Sequence, residues 1–251
     1  MTNTAIVNAG VMYAEGLGIA KTAAKIISMS PGAARDSTNV NDIILSALAS
    51  INGAIVGANG VDNAVLIASN FYAVYVIGDS TDYQPTAGLL SLNFTQPNLP
   101  GGFPQGGYDM YRRVGWILTD GSANILQFWQ YGSNEQRMYY YDVGISALSA
   151  GASGTFANVD LATSVPPIVT EVLFNYTFTA GAATDVAEFL PYGSSATSGM
   201  VQISGAVATV AQIGMVTVPS ELDSGAPTIK YKVTGTDTLT LLTVGFKDYI
   251  T

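Results

Sequence analysis

Through much of the chain apolar and polar residues alternate with a period of two, the pattern of strands that bury one face, and Gly, Pro, Asp and Ser interrupt it at intervals of about ten residues. In Glu171 to Thr179, Val172, Phe174, Tyr176 and Phe178 share one face while Glu171, Leu173, Asn175, Thr177 and Thr179 lie on the other. Leu89 to Phe94 alternates too: Leu90, Leu92 and Phe94 oppose Ser91 and Asn93, predicting a half-buried strand. Phe71 to Ile77 has the β-branched and aromatic composition of a strand buried on both faces. Further strands are predicted at 186–190, 200–204, 213–218, 229–233 and 239–246. In the Ile229 to Val233 strand Lys230 and Lys232 share one face, as an exposed strand facing solvent or an acidic partner would show.

Aromatic residues are densest from Tyr108 to Val143, which holds both tryptophans, Trp116 and Trp129. The runs Tyr111 to Leu118, Ile125 to Tyr131 and Met138 to Val143, separated by the turn residues 119–124 and by 132–136, predict a three-stranded antiparallel meander. Asn41 to Val56 predicts two short strands closed by the turn pair Asn52-Gly53. Residues 2–30 read as extended segments rather than a helix, because Gly10, Gly16 and Gly18 break any longer helical face, and Pro31-Gly32 stops them. Three prolines and four glycines in Gln96 to Gly107 mark a long loop, and the low-complexity stretch Ser146 to Thr155 marks a boundary.

The expected fold is therefore all-β, an antiparallel β-sandwich or jelly-roll-like architecture with an extended N-terminal arm. Residues 1–36 form the arm, 37–147 a first sandwich and 148–251 a second; one continuous sandwich is the alternative. The arm suits docking onto a neighbouring subunit or another protein, or is a locally packed terminus.

Composition narrows the chemistry. The chain has no cysteine and no histidine, which excludes disulfides, thiolate metal sites and the commonest general base. Charged residues make up 11% and hydrophobic ones 48%, and the net charge is −9. An acidic body argues against nucleic-acid binding. No apolar run approaches the roughly 18 residues of a membrane span, so no membrane insertion is expected. The first fifteen residues read as lacking a secretory pattern.

Carboxylates are the remaining catalytic candidates. Glu135, Asp142, Glu171 and Glu188 lie in or beside predicted strands, where a glycan hydrolase would need two facing one another and surface solvation is the plainer reading. Asp79 and Asp82 have loose calcium-ligand spacing without the register of a calcium loop, and Asp120 reads as a turn initiator. Adjacent Arg112 and Arg113 should point to opposite faces and make structural pairs. The consecutive Tyr139, Tyr140 and Tyr141 place at least one ring outward, for a subunit interface or sugar stacking. No catalytic, cofactor-binding or metal residue is assigned, no cofactor is expected, and the chain reads as no enzyme.

Three stretches carry a resemblance: Pro97-x-Leu99-Pro100, Tyr108-Asp-x-Tyr111-Arg112-Arg113-Val114-Gly115-Trp116, and Thr119-Asp-Gly-Ser-Ala-Asn124-Ile125. With Pro31 to Asn39, Asn52-Gly53, Asn59-Gly60-x-Asp62 and Tyr72 to Gly78, they resemble a β-rich module of structural proteins of tailed bacteriophage virions, of the tail-fibre, head-fibre or decoration type. The resemblance covers roughly residues 30–145 well and the remainder less specifically. It implies a non-enzymatic virion component, a homotrimer on a head or tail, made in the host cytoplasm and displayed on the particle surface. It also implies that the arm holds other virion proteins. A receptor- or host-glycan-binding module using the tyrosines and the 96–107 loop is the alternative.

Overall fold

The computed structural model describes residues 12–101, 107–133 and 136–250. Among them there is no helix, and the architecture is all-β and sandwich-like, built from antiparallel sheets. The chain divides into two compact units, unit 1 comprising residues 1–137 with 249–251 and unit 2 residues 138–248.

Unit 1 contains β1 (Ala14–Gly16), β2 (Ile19–Ala23), β3 (Ile26–Met29), β4 (Gly32–Arg35), β5 (Asp42–Leu45), β6 (Ala49–Asn52), β7 (Gly60–Val61), β8 (Phe71–Gly78), β9 (Ala87–Ser91), β10 (Met110–Leu118) and β11 (Phe128–Ser133). The chain passes into unit 2 within β12 (Gln136–Gly151). There follow β13 (Ala157–Asp160), β14 (Glu171–Thr179), β15 (Val186–Pro191), β16 (Val201–Ser204), β17 (Ala211–Pro219), β18 (Glu221–Asp223), β19 (Ala226–Val233) and β20 (Thr238–Tyr249).

Three small sheets share the core of unit 1, ordered β1-β4-β5, β2-β3-β6 and β10-β8-β9-β7. All pairs are antiparallel except β7 with β9. Val74, Val76, Leu89, Leu90, Ile27, Ile51, Met29 and Trp116 are buried there. Sheet-to-sheet distance is set by glycine: a Cβ on Gly88 would collide with Ile51 from β6, and one on Gly78 would meet Ile43 from β5 at 3.2 Å. Buried tyrosines satisfy their hydroxyls locally, Tyr75 donating to Asn93 O at 2.9 Å and Tyr108 to Pro85 O at 2.8 Å.

Unit 2 has a sheet ordered β12-β20-β14-β17 and another ordered β13-β19-β15-β16, with β18 paired to β19. Along β14 the predicted face is buried, with Val172, Phe174 and Phe178 fully enclosed and Tyr176 half-buried, and Leu173 on the opposite face is buried as well. Phe246 stacks on Tyr139 with ring centroids 4.6 Å apart.

Four expectations need correction. Residues 14–35 are not an arm: β1 and β4 pair with each other and β4 with β5, while β3 pairs with β6, so this segment is core structure of unit 1. Only residues 1–11 of the expected arm remain, and they lie outside the described residues. The boundary is not at Ser146 to Thr155, because β12 runs on through Gly151; small residues in that stretch are strand residues, and the division falls at Arg137.

The meander is also divided. β10 joins β8 over Met110 to Leu118, whereas β11 and the start of β12 are hairpin neighbours in another sheet. The cause lies in the turn: Ile125 N donates to Ala24 O at 2.7 Å, which turns the chain toward the β2–β3 hairpin after one bridge between Thr119 and Ile125. Finally, β9 ends at Ser91 with Leu89, Leu90 and Ser91 all buried, and Leu92 and Phe94 lie largely exposed beyond it. Ser91 tolerates burial because its hydroxyl donates to Asp62 Oδ2 at 2.6 Å.

Candidate functional site

Most side chains singled out for chemistry are engaged in building the fold. Glu188 is buried and its carboxylate meets Lys232 Nζ at 2.6 Å and accepts from Gly199 N. Burial pushes its pKa up, but Lys232 and the Gly199 donor outweigh that and hold it below the ordinary glutamate value. Glu171 pairs with Lys247 at 3.2 Å, and Asp142 is exposed on β12. Glu135 lies outside the described residues.

Asp79 closes its own loop, accepting from Thr81 N at 2.8 Å, Thr81 Oγ1 at 2.5 Å and Gln84 N at 3.0 Å. The Thr81 hydroxyl and amide hold its pKa low. Asp82 is the exposed left-handed residue of that turn, with φ of 59°. Asp120 does the same for 120–124, accepting from Asn124 N at 2.9 Å and Ser122 N at 2.8 Å. No group of three or more acidic side chains placed to hold a metal ion occurs among the described residues.

The arginines reach buried carbonyls. Arg112 donates from Nε to Arg35 O at 2.7 Å and from Nη2 to Asp36 O and to Asn39 Oδ1, fastening β10 to the turn after β4. Asp36 organises that turn, accepting from Val40 N and Thr38 Oγ1, both at 2.9 Å. Arg113 donates to Tyr249 O at 2.7 Å and lies over the Trp116 ring at 5.0 Å. A register shift between Arg113 and Gly115 accompanies their burial. Tyr139 and Tyr141 point inward, the latter donating to Ser164 O at 3.0 Å, while Tyr140 is half-buried. Among the described residues the exposed aromatic rings are instead Tyr83, Phe94, Trp129, Tyr131 and Tyr249. Lys230 and Lys232 also serve their own unit: Lys230 Nζ donates to Ser194 O at 3.0 Å, and Lys232 lies over Phe156 in addition to its carboxylate partner.

One open concavity in unit 1 gathers apolar side chains and a few polar ones from separated segments. It encloses about 200 Å³ between Asp62, Val65, Ile67, Leu92, Asn93 and Asn98. Asp62 Oδ2 accepts from Asn98 N at 2.9 Å as well as from Ser91, which draws the start of the 96–107 loop against the cavity. Its apolar walls carry one carboxylate and several amides, in a volume below the usual range of ligand pockets. The loop was legible in the sequence; Asp62 was not, because its partner Ser91 lies 29 residues away and no local spacing links them. Residues 102–106 of the loop lie outside the described residues.

No protein-family model matches this chain, and no curated protein or solved structure matches it either.

Proposed function

We propose that this chain is a non-enzymatic structural protein that assembles with copies of itself on a larger particle. The supporting observation is the use to which the resemblance-bearing residues are put. Asp36, Arg112 and Asp120 form turns and carbonyl clamps, and Gly53 and Gly60 lie where any Cβ would strike Leu66 or Ile55. A module whose distinctive residues make the scaffold, while large apolar side chains remain on its surface, is suited to lattice or fibre building. The narrower reading, a component of a tailed-bacteriophage virion, rests on the sequence resemblance alone. Mass measurement in solution is the first test, with an associated species expected and a protein that stays single at every concentration counting against assembly. Tracing the chain by cryo-electron microscopy of intact particles tests the virion reading.

The cavity beside Asp62 favours a second reading, a receptor- or glycan-binding module. A glycan array probed with the intact chain should then give signals that disappear in Asp62→Ala. An array without signal removes this reading.

A further inference from the structure

We infer that copies of this chain associate through the free edge of β17, strand against strand across a two-fold axis. The inference deepens the assembly reading above and rests on it.

The two sheets of unit 2 both terminate at consecutive strands, one at β16 and the other at β17. β17 pairs with β14 along its full nine residues, Ala211 to Pro219 against Thr179 to Glu171, without a register shift. Among the described residues no strand pairs with its opposite edge, which ends the sheet. Proteins guard such edges with charge, proline, bulges or brevity. β17 is long and regular, carries no charged side chain, and has proline only at its last position.

Charge is absent over a much wider stretch. Between Glu188 and Glu221 there is no Asp, Glu, Lys or Arg, in a chain whose net charge is −9. The same stretch exposes Met200 (65%), Val207 (55%), Val210 (51%), Ile213 (79%) and Met215 (60%). Ile213 and Met215 project from one face of β17.

These features specify the occupant. An open strand edge is complemented by another open strand edge, and an uncharged apolar margin by one equally free of charge. For two copies of an acidic protein, an uncharged face is also where they approach without opposing carboxylates. The chain supplies both properties itself, in β17. Antiparallel pairing of β17 with its copy, centred on Met215, brings Met215 against Met215 and Ile213 against Thr217, and extends the β12-β20-β14-β17 sheet across the axis. Such a contact is isologous and closes as a dimer. The trimer implied by the resemblance would need another surface.

The test uses the full chain. Sedimentation equilibrium of the unaltered protein should give a two-copy species. Met215→Lys, which sets like charges opposite one another, should raise the dissociation constant by about tenfold or more while leaving circular dichroism unchanged, and Tm unchanged at dilutions where both proteins are single. Because the chain has no cysteine, Met215→Cys adds a single thiol, and mild oxidation should yield a covalent dimer, whereas Ile44→Cys on unit 1 should not. Unaltered protein that associates, with Met215→Lys associating equally and Met215→Cys failing to cross-link, overturns the β17 contact and leaves the assembly reading standing. Unaltered protein that never associates overturns both.

Discussion

Unit 1 distributes β1 to β10 over three small sheets, and four of these strands, β3 to β6, are only four residues long; unit 2 uses fewer and longer strands, including the twelve-residue β20. Short strands leave turn and terminal carbonyls that no ladder satisfies, and a buried unsatisfied carbonyl is costly. Unit 1 answers with arginine. All four arginines of the chain, Arg35, Arg112, Arg113 and Arg137, lie there and all are buried. Each donates to a main-chain oxygen: Arg35 to Val40 O, Arg112 to Arg35 O, Arg113 to Tyr249 O, and Arg137 to Leu17 O. In unit 2 there is no arginine, and the buried polar contacts are the Glu188–Lys232 pair, the Asp237 carboxylate on Gly181 N and neutral ones such as Thr243 Oγ1 donating to Ser164 Oγ at 2.9 Å. The lesson is that a guanidinium, with several fixed donors, can do for irregular backbone what pairing does for long strands.

Both tryptophans belong to unit 1, so their fluorescence reports that unit alone, while calorimetry reports both. The largest expected effect is Phe174→Ala in unit 2, which should cost about 3–5 kcal/mol in the calorimetric transition of that unit. It should leave the fluorescence transition in place; a coincident shift would mean that the units unfold together. Next, Arg112→Met keeps an apolar stem but strands the buried Arg35 carbonyl, while Asp36 O keeps Asn39 N as a donor, and should cost roughly 2 kcal/mol by fluorescence-detected urea unfolding. A loss below about 1 kcal/mol would break the clamp argument. Thr243→Val should cost only about 1 kcal/mol, seen by calorimetry, since one neutral hydrogen bond is removed.

The two units should also differ in acid. Burial raises the Asp36 carboxyl in unit 1, but the donors from Val40, Thr38 and Asn41 outweigh it and its pKa is lowered. Asp120 is lowered by Asn124 and Ser122. The stability these groups contribute is present above the ordinary carboxylate range and is lost as pH falls through their lowered values, below about 4. In unit 2 Asp237 is fully buried, with Oδ1 accepting from Gly181 N at 2.6 Å, and its pKa is raised by burial and by neighbouring Asp185. Its contribution runs the other way, complete below the unfolded pKa of about 3.9 and lost as pH rises through the raised value. Asp237→Asn should therefore raise Tm of unit 2 by a few degrees at neutral pH and by nothing near pH 3. An equal gain at both pH values would show that ionisation is not the cause.

Much of unit 2 could be read directly from the residues, because its strands bury one face and the period of two is a local property. Val172, Phe174 and Phe178 lie where their alternation places them. Unit 1 was less legible. Leu92 and Phe94 continue the alternation of Leu90 yet lie beyond the strand, since Ser91 is held inside by Asp62 rather than by its neighbours in sequence. The Asp62 cavity was hidden for the same reason, as its parts come from three separated segments.

The sequence by itself determined that this protein is made of strands, where most of them lie, and that Asp120 closes a turn, because side-chain alternation and Asx hydrogen bonds act over a few residues. Only the tertiary structure decided that residues 14–35 belong to the core, that β10 and β11 go to different sheets, and that the arginines hold carbonyls. Those outcomes depend on partners as far away as Leu17 O is from Arg137, where the pairing of distant backbone groups, and no local period, fixes which arrangement satisfies the buried carbonyls.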